Sequence, residues 1–263
     1  MSANELYLEP MTAGMILDRT FRLYVQNFAL MIGVTALAQL PLLAITLIAP
    51  LVRQYGMVLT LLAGLIWFIG GLISFLFITP LVTGAATKAI SERYLGNDIT
   101  VVEALKFSWG YLVPLLLIQI VVGVIVAVGM FLLFIPGIFW WISYILVVPI
   151  TVLENIRDGD RVRRRSWKLV TGNRWKVFGV VMVLVVPQLV LTISGSLYVQ
   201  YSFGMESAMG EVMGGLFSGL LTLALFPLQA IATTLLYYDL RIRKEGFDLE
   251  ILSRALASPE TPA

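Results

Sequence analysis

The amino-acid sequence predicts an all-α polytopic membrane protein, a bundle of six transmembrane helices with amphipathic helices at one membrane surface. Of its 263 residues, 59% are hydrophobic and only 13% are charged, whereas a soluble domain has about 25% charged residues. Long uncharged stretches recur along the chain, and they are continuous rather than alternating, which argues against a transmembrane β-barrel. Basic residues lie almost entirely on one side of the predicted spans.

The number of spans follows from the uncharged stretches, which cover residues 23–52, 54–87, 107–153, 177–205 and 212–238. About 20 apolar residues cross a bilayer as a helix. The third stretch is long enough for two spans, and Ile135-Pro136-Gly137 near its middle predicts a reversal. The predicted spans are 28–52, 57–78, 111–134, 138–153, 176–199 and 212–238, in one membrane domain (1–252) followed by a short cytoplasmic tail (253–263).

The orientation follows from the basic residues, because Lys and Arg concentrate on the cytoplasmic side of membrane proteins. Every Lys and Arg except Arg53 falls before the first span, after the last, or in the connections that share their side. The sequence therefore predicts that both termini lie in the cytoplasm.

Three amphipathic segments precede successive pairs of spans on this side, and each would lie in the membrane interface. Each begins with a residue suited to cap a helix: Thr12, then Thr100 with Glu103 as a capping box, then Asp158 or Asp160. The first would run to about Asn27, and the third would end near Gly172.

A weak internal repeat links two of these segments. Residues 19–27 and 165–173 both read Arg, hydroxyl, aromatic, base, Leu and, after three further positions, Asn. The segment around residues 104–109 occupies the equivalent place with a weaker match. The chain therefore indicates a three-fold repeat, in which each unit is an interfacial helix followed by a helical hairpin.

Polar residues inside the spans are few. Four glutamines are the intramembrane candidates: Gln39, Gln119, Gln188 and Gln229. Gln39 lies near Pro41, and Gln188 follows Pro187, where a helix kinks because proline removes a backbone hydrogen bond. These glutamines would either join helices by hydrogen bonds or line a polar path.

Charged residues fall at the span margins and not at the centre of any span, which disfavours an ion-coupled transporter. The candidates for a lipid-headgroup site or a structural ion-pair network are Asp18, Arg19, Glu154, Arg164, Arg165, Trp167, Asp239 and Arg241. Whether Glu154 and Asp239 meet as a catalytic pair depends on geometry that the sequence does not define.

The composition excludes several chemistries. The chain has no Cys and no His, which removes disulfides, thiolate or His-ligated metals, and Ser-His or Cys-His nucleophiles. No cofactor and no metal are predicted. A formal net charge of +2 gives no reason to invoke nucleic acid, so the expected partners are membrane lipids with anionic headgroups, a protein partner or a second copy of the chain.

The chain resembles the membrane domain attached to some bacterial glycerophosphoryl diester phosphodiesterases and its stand-alone relatives. The residues that carry the resemblance, over about residues 14–252, are Ile135-Pro136-Gly137, Pro149 with Leu153-Glu154, the run 164–172 beginning Arg164-Arg165-Ser166-Trp167, Tyr237 to Arg241, and Gly246 to Leu249. In the family, the phosphodiesterase chemistry belongs to a separate soluble domain that uses histidines, and this sequence contains none.

Together with this resemblance, the sequence therefore favours a non-enzymatic, multi-pass protein of the bacterial inner membrane that organises lipids or partner proteins. One alternative is a transporter or flippase for a lipid or amphipathic molecule, which would use a cavity bearing the four glutamines. A second is a lipid-directed enzyme, which would need Glu154 and Asp239 within hydrogen-bonding distance of a headgroup-sized pocket.

Overall fold

A computed structural model describes residues 10–53, 55–205 and 207–246, and in these ranges the protein is helical with no strand. The predicted tail at 253–263 lies outside the described residues. The helices are α1 (Ala13–Gln26), α2 (Phe28–Arg53), α3 (Met57–Ile73), α4 (Thr79–Tyr94), α5 (Val101–Trp109), α6 (Leu112–Leu132), α7 (Phe134–Ser143), α8 (Val147–Leu153), α9 (Gly159–Val170), α10 (Arg174–Phe203) and α11 (Ala208–Glu245).

The all-α prediction is confirmed for the described chain, and the structure indicates a multi-pass membrane protein. Five helical stretches are long and apolar enough to cross a membrane, and the bent α2 makes six if its two halves form one span. The five are Met57–Tyr94, Leu112–Leu132, Phe134–Leu153, Arg174–Phe203 and Ala208–Glu245.

The three short amphipathic helices begin where the sequence predicts. Thr12 accepts a hydrogen bond from Met15 N at the start of α1. Thr100 and Glu103 form the reciprocal capping box of α5. Asp158, rather than Asp160, caps α9 by accepting from the backbone N–H groups of residues 160 and 161.

Prolines explain where the long helices depart from the predicted spans. Pro41 has no N–H to donate to Leu37 O, and α2 is bent by 54° between Phe28–Leu37 and Gln39–Ile48. Pro80 follows a π-helical turn, Ser74–Ile78, and the helix then continues to Tyr94 instead of ending near residue 78.

The predicted span 138–153 is interrupted. The α-helix stops at Ser143, a turn covers residues 144–146, and α8 begins at Val147. Pro149 cannot donate to the carbonyl of Ile145, so the regular ladder of backbone hydrogen bonds is lost at this place. The predicted fourth span therefore consists of two short helices, α7 and α8, which together make up the candidate span Phe134–Leu153.

Small residues at the start of α11 bring it close to its neighbours within the chain. A Cβ at Gly214 would meet the Gln200 side chain of α10, and one at Gly219 would meet Leu43 of α2. Helices in a bilayer associate through such close backbone approaches. The core then continues toward the other end of α11, where Ile231, Leu235 and Leu236 are fully buried.

The short helices gather at one end of the bundle, which we call the basic end. It comprises α1, α5 and α9, the last turns of α4, α8 and α11, and the first turn of α10. Tyr94 of α4 stacks on Tyr238 of α11 there, with ring centroids 5.3 Å apart. The described charged side chains concentrate at this end, which therefore holds the candidate site.

Candidate site at the basic end of the bundle

A completely buried carboxylate, Asp239, joins three parts of the chain at the basic end. Its side chain has no exposed surface. It accepts hydrogen bonds from Met11 N at 2.7 Å, from the Lys176 ammonium of α10, and from Arg243 Nε at 3.1 and 3.2 Å. A buried charge is tolerated only when it is paired and hydrogen-bonded, so this cluster is a structural anchor for the segment that precedes α1.

A second ionic network ties α9 to α8 and α11. The Arg165 guanidinium donates to both oxygens of Glu154, at 2.9 to 3.2 Å, and forms a two-pronged ion pair with Glu245. Tyr237 Oη donates to Glu154 Oε1 at 3.2 Å, and Arg241 donates to Tyr237 Oη at 3.1 Å and pairs with Glu245. Planar guanidinium groups suit such forked contacts with carboxylates.

The electrostatics of Arg165 follow from these partners. Its hydrogen bonds to Glu245 and then Glu154 raise the pKa of the guanidinium further above its already high value, although partial burial opposes this shift. Arg165 is therefore charged at every pH at which the protein would be studied. Because the Glu154 carboxylate accepts hydrogen bonds from Arg165, it is poorly placed to act as a general base.

A cavity of about 600 Å³ opens beside this network. Its polar wall includes Glu154, Arg241 and the pair Lys88–Glu92, and its apolar wall includes Phe107. Tyr111 Oη donates to Asn155 Oδ1 at 2.8 Å on the rim. The cations of this wall are matched by carboxylates, so the cavity presents a balanced polar surface and not a site for an anion.

Arg174, at the first position of α10, has a different environment. Its guanidinium carbon lies 4.3 Å from the centroid of the Phe139 ring and 4.9 Å from that of Trp167. Arg174 Nε donates to Ser143 Oγ at 3.3 Å, and Nη2 donates to Thr171 Oγ1 at 3.1 Å. Within the described residues no carboxylate pairs with it, so aromatic faces and hydroxyl groups hold the cation in position.

Two lysines add to the positive charge around Arg174. Lys244 Nζ donates to the carbonyl oxygens of Lys168 and Thr171 at 2.6 Å, at the C-terminal end of α9. The positive charges of Lys168 and Arg174 both repel the Lys244 ammonium. We call Lys168, Arg174 and Lys244 the cation cluster. Glu245, whose charge also acts on Lys244, is bonded to Arg165 and Arg241.

An apolar groove of about 300 Å³ separates α7 from α10, and Arg174 is the member of the cation cluster that lines it. Arg174 and Trp175 lie at its mouth, and Trp175 is 86% exposed. The walls are apolar and consist of Ile135, Ile138, Phe139, Ile142 and Phe178. A positively charged mouth above an apolar groove matches a phosphate joined to an acyl chain.

The four glutamines do not line the two cavities described above. Gln229 Nε2 donates to Gln188 Oε1 at 2.7 Å, which joins α11 to α10, and Gln119 donates to Thr83 Oγ1 at 3.3 Å, which joins α6 to α4. Gln39 is partly buried on α2 beyond the bend. For three of the four, the structure therefore favours interhelical hydrogen bonds over a polar path.

The structure places the predicted ionic residues in separate clusters rather than in one network. Glu154 and Asp239 belong to separate clusters, because Tyr237 and Asp239 lie two residues apart on α11 and point to different sides of the helix. Asp18 pairs with Arg22, in an exposed pair with 71% and 67% of the side chains accessible. The catalytic pairing of Glu154 and Asp239 is not found.

The other predicted residues have distinct roles. Arg19 donates to Tyr94 Oη at 3.3 Å and lies over its ring. Arg164 is exposed and lines a depression of about 460 Å³ beside Trp167. Trp167 itself packs against Phe139 and Tyr144 as well as Arg174.

Several residues of these clusters were missed from the sequence. Arg243 and Glu245 lie four positions after Asp239 and Arg241, a spacing typical of ion pairs on one helix face, and this signal was available. The contacts of Met11, Lys176 and Arg174 depend on packing between distant segments and left no sequence signal. Among the described residues, no group of three or more acidic side chains is arranged to hold a metal ion.

Comparison with known proteins adds no assignment to this geometry. No family model, no curated protein and no solved structure matches the chain.

Proposed function

We propose that the protein is a non-enzymatic integral membrane protein that binds anionic phospholipids at its basic end and organises them around itself. The observation that carries this proposal is Arg174, the member of the cation cluster that lines the α7–α10 groove. Arg174 is held by aromatic rings and hydroxyl groups rather than by a carboxylate, so its charge remains available to a ligand. A lipid phosphate would contact the cluster while an acyl chain follows the groove.

The contrast with the other charged clusters supports this choice. Arg165, Arg241, Lys176 and Arg243 are all paired with Glu or Asp, so binding an anion there would first break an internal pair. Binding at Arg174 requires no such exchange. A charge-assisted hydrogen bond contributes about 1.5–3 kcal/mol, which corresponds to roughly tenfold or more in affinity.

We also propose that the basic end faces the cytoplasm of a bacterial cell, with both termini on that side. The distribution of Lys and Arg supports this orientation. It places the cation cluster at the leaflet whose anionic headgroups attract basic residues, at about 1 kcal/mol per residue near the surface.

We infer a three-fold repeat of a short amphipathic helix followed by two longer apolar segments. The order α1 to α4, α5 to α8 and α9 to α11 supports this inference. In the two matched segments, the hydroxyl residues Thr20 and Ser166 are both completely buried and both bond to backbone carbonyls, those of Ile16 and Ser143.

Kinship with the membrane domain of glycerophosphoryl diester phosphodiesterases is also proposed. Its support is the run Arg164 to Trp167, in which three residues have specific contacts: Arg165 with two carboxylates, Ser166 with Ser143, and Trp167 with Arg174. Such a relationship would describe a shared membrane module and would not give this chain phosphodiesterase activity.

The competing functions have less support. A transporter would need a polar path, yet Gln188 and Gln229 bond to each other. A lipid-directed enzyme would need a free carboxylate, and Glu154 accepts hydrogen bonds from Arg165 and Tyr237. A protein partner or a second copy of the chain would also contact the exposed basic face, and the lipid experiment below distinguishes this case.

Arg174→Met is expected to lower the retention of anionic phospholipid about tenfold, because it removes the cation at the groove mouth and keeps an apolar side chain of similar length. The measurement is native mass spectrometry of protein released from nanodiscs of phosphatidylglycerol and phosphatidylcholine. The control is Arg161→Met, which removes an equal charge from α9 at a position that is 75% exposed.

Three results would separate the explanations. Retention of phosphatidylglycerol that depends on Arg174 but not on Arg161 supports the proposed site. Equal loss in both variants would show only general attraction to basic residues, and no selective retention by the wild type would contradict the proposal. Arg174→Lys keeps the charge, so recovery of binding in that variant excludes misfolding as the cause.

A further inference from the structure

We propose that α6 and α7 form a re-entrant hairpin, which enters the bilayer from the basic end and returns to the same side without crossing. The sequence predicted two complete spans here, at residues 111–134 and 138–153. The inference depends on the positions of the hairpin's two ends and its tip, and it does not depend on the lipid site.

The returning arm is short and ends at the basic end. Helix α7 has 10 residues, or about 15 Å, which is half of the roughly 30 Å hydrocarbon thickness. Its last residue, Ser143, accepts from Ser166 Oγ through its carbonyl at 2.8 Å and from Arg174 Nε through its hydroxyl. Both partners lie at the basic end, so the chain has returned to this end by Ser143, before the turn that leads to α8.

The residues of α10 that lie beside the tip indicate how far the tip extends from the basic end. Ile135, the second residue of α7, lines the same groove as Arg174, Trp175 and Phe178. These three residues lie within the first five positions of α10, which then continues to Phe203. The tip therefore lies beside the early turns of a helix that is long enough to cross, and not beside its far end.

The outgoing arm also remains close to the basic end. Tyr111, just before α6, bonds to Asn155, and Ile118 is still in contact with α9: a Cβ added at Gly159 would lie 3.4 Å from Ile118 Cδ1. A helix directed straight across the membrane would have left the interface by this point. The contacts indicate that α6 enters at a strong tilt.

The tip has the chemistry of a segment embedded in hydrocarbon. Five consecutive residues are apolar and between 67% and 90% exposed: Phe131, Leu132, Leu133, Phe134 and Ile135. By contrast, α2 ends at Arg53 and is followed by Tyr55, and the last turn of α10 contains Tyr201 and Ser202. Exposed apolar surface of this kind is costly in water and favourable among acyl chains.

The backbone of the tip is suited to the same environment, in which free polar groups are costly. Leu133 is the only residue between the helices, and its N–H donates to Gly129 O at 3.0 Å while its carbonyl accepts from Gly137 N at 3.4 Å. Pro136 has no N–H that needs a partner. The reversal therefore leaves few backbone donors without an acceptor.

Cysteine labelling tests the hairpin directly, because the natural chain has no cysteine. The tip variant is Phe134→Cys, the matched loop controls are Tyr55→Cys and Met205→Cys, and the control at the basic end is Asn97→Cys. A membrane-impermeant maleimide is applied to intact cells and to inverted membrane vesicles. We expect the two loop variants to react from one face, Asn97→Cys to react from the other, and Phe134→Cys to react from neither until the protein is unfolded in SDS.

A fluorophore attached at residue 134 gives the second measurement, because it distinguishes a tip in hydrocarbon from one that is merely shielded. In vesicles containing lipids that carry spin labels, we expect stronger quenching from a label near the acyl-chain ends than from one at the headgroup. Labelling of Phe134→Cys from the same face as Tyr55→Cys, or stronger quenching from the headgroup label, would overturn the proposal and restore the six-span count.

Discussion

Replacing Asp239 with alanine is expected to lower the free energy of unfolding by about 3–5 kcal/mol, the cost of breaking a buried ion pair. Asp239 is fully buried and bonds to Met11 N, Lys176 and Arg243. Its removal leaves a mostly buried ammonium and a partly buried guanidinium without a counter-charge, and releases the segment before α1. The measurement is SDS-induced unfolding followed by tryptophan fluorescence.

The control for this prediction is Asp18→Ala, which also removes a carboxylate that pairs with an arginine four residues away. That pair is exposed, so its loss should change stability by less than about 0.5 kcal/mol. Adding Lys176→Met to Asp239→Ala should recover part of the stability, because it removes one uncompensated charge. Similar losses in the Asp239 and Asp18 variants would contradict the buried-anchor account.

Replacing Arg165 with methionine is expected to cost about 2 kcal/mol, less than Asp239→Ala because the network retains some access to water. The side chains of Arg165 and Glu154 are 22% and 13% exposed. Methionine keeps the length of the side chain and leaves Glu154 and Glu245 facing each other without the intervening cation. The same unfolding assay measures the change.

Two matched variants define the cause of this loss. Arg165→Lys keeps the charge but cannot form the two-pronged contacts, so we expect it to recover about half of the stability. Arg164→Met alters the neighbouring, exposed arginine and should be nearly neutral. If the Arg164 and Arg165 variants were equally stable, the network would be an arrangement of surface charges without a structural role.

Local features of this fold could be predicted from the sequence because their causes are local. Thr12, Thr100 and Asp158 cap helices through bonds to residues two or three positions away. The long apolar segments were predicted for the same kind of reason, since length and composition alone define a candidate span. Pro41 and Pro149 also act locally, although the extent of the bend and of the break depends on neighbouring helices.

The candidate site could not be predicted in this way, because its contacts join segments far apart in the chain. Met11 and Asp239 are 228 positions apart, and Arg165 and Glu245 are 80 positions apart. The sequence predicts that the charged residues lie at one membrane surface. It does not predict which of them pair, because the pairing depends on how the helices pack. Arg174 was overlooked because its partners are aromatic and hydroxyl groups rather than acids.

The most direct test of the central claim is photocrosslinking of an anionic phospholipid to the unaltered protein. Phosphatidylglycerol with a diazirine in one acyl chain is incorporated into nanodiscs with the protein, irradiated, and the attachment sites are mapped by peptide mass spectrometry. Our account predicts attachment concentrated on the groove residues of α7 and the first turns of α10, reduced in Arg174→Met and retained in Arg161→Met. Attachment spread evenly over lipid-facing helices such as α3, and unchanged in Arg174→Met, would contradict it.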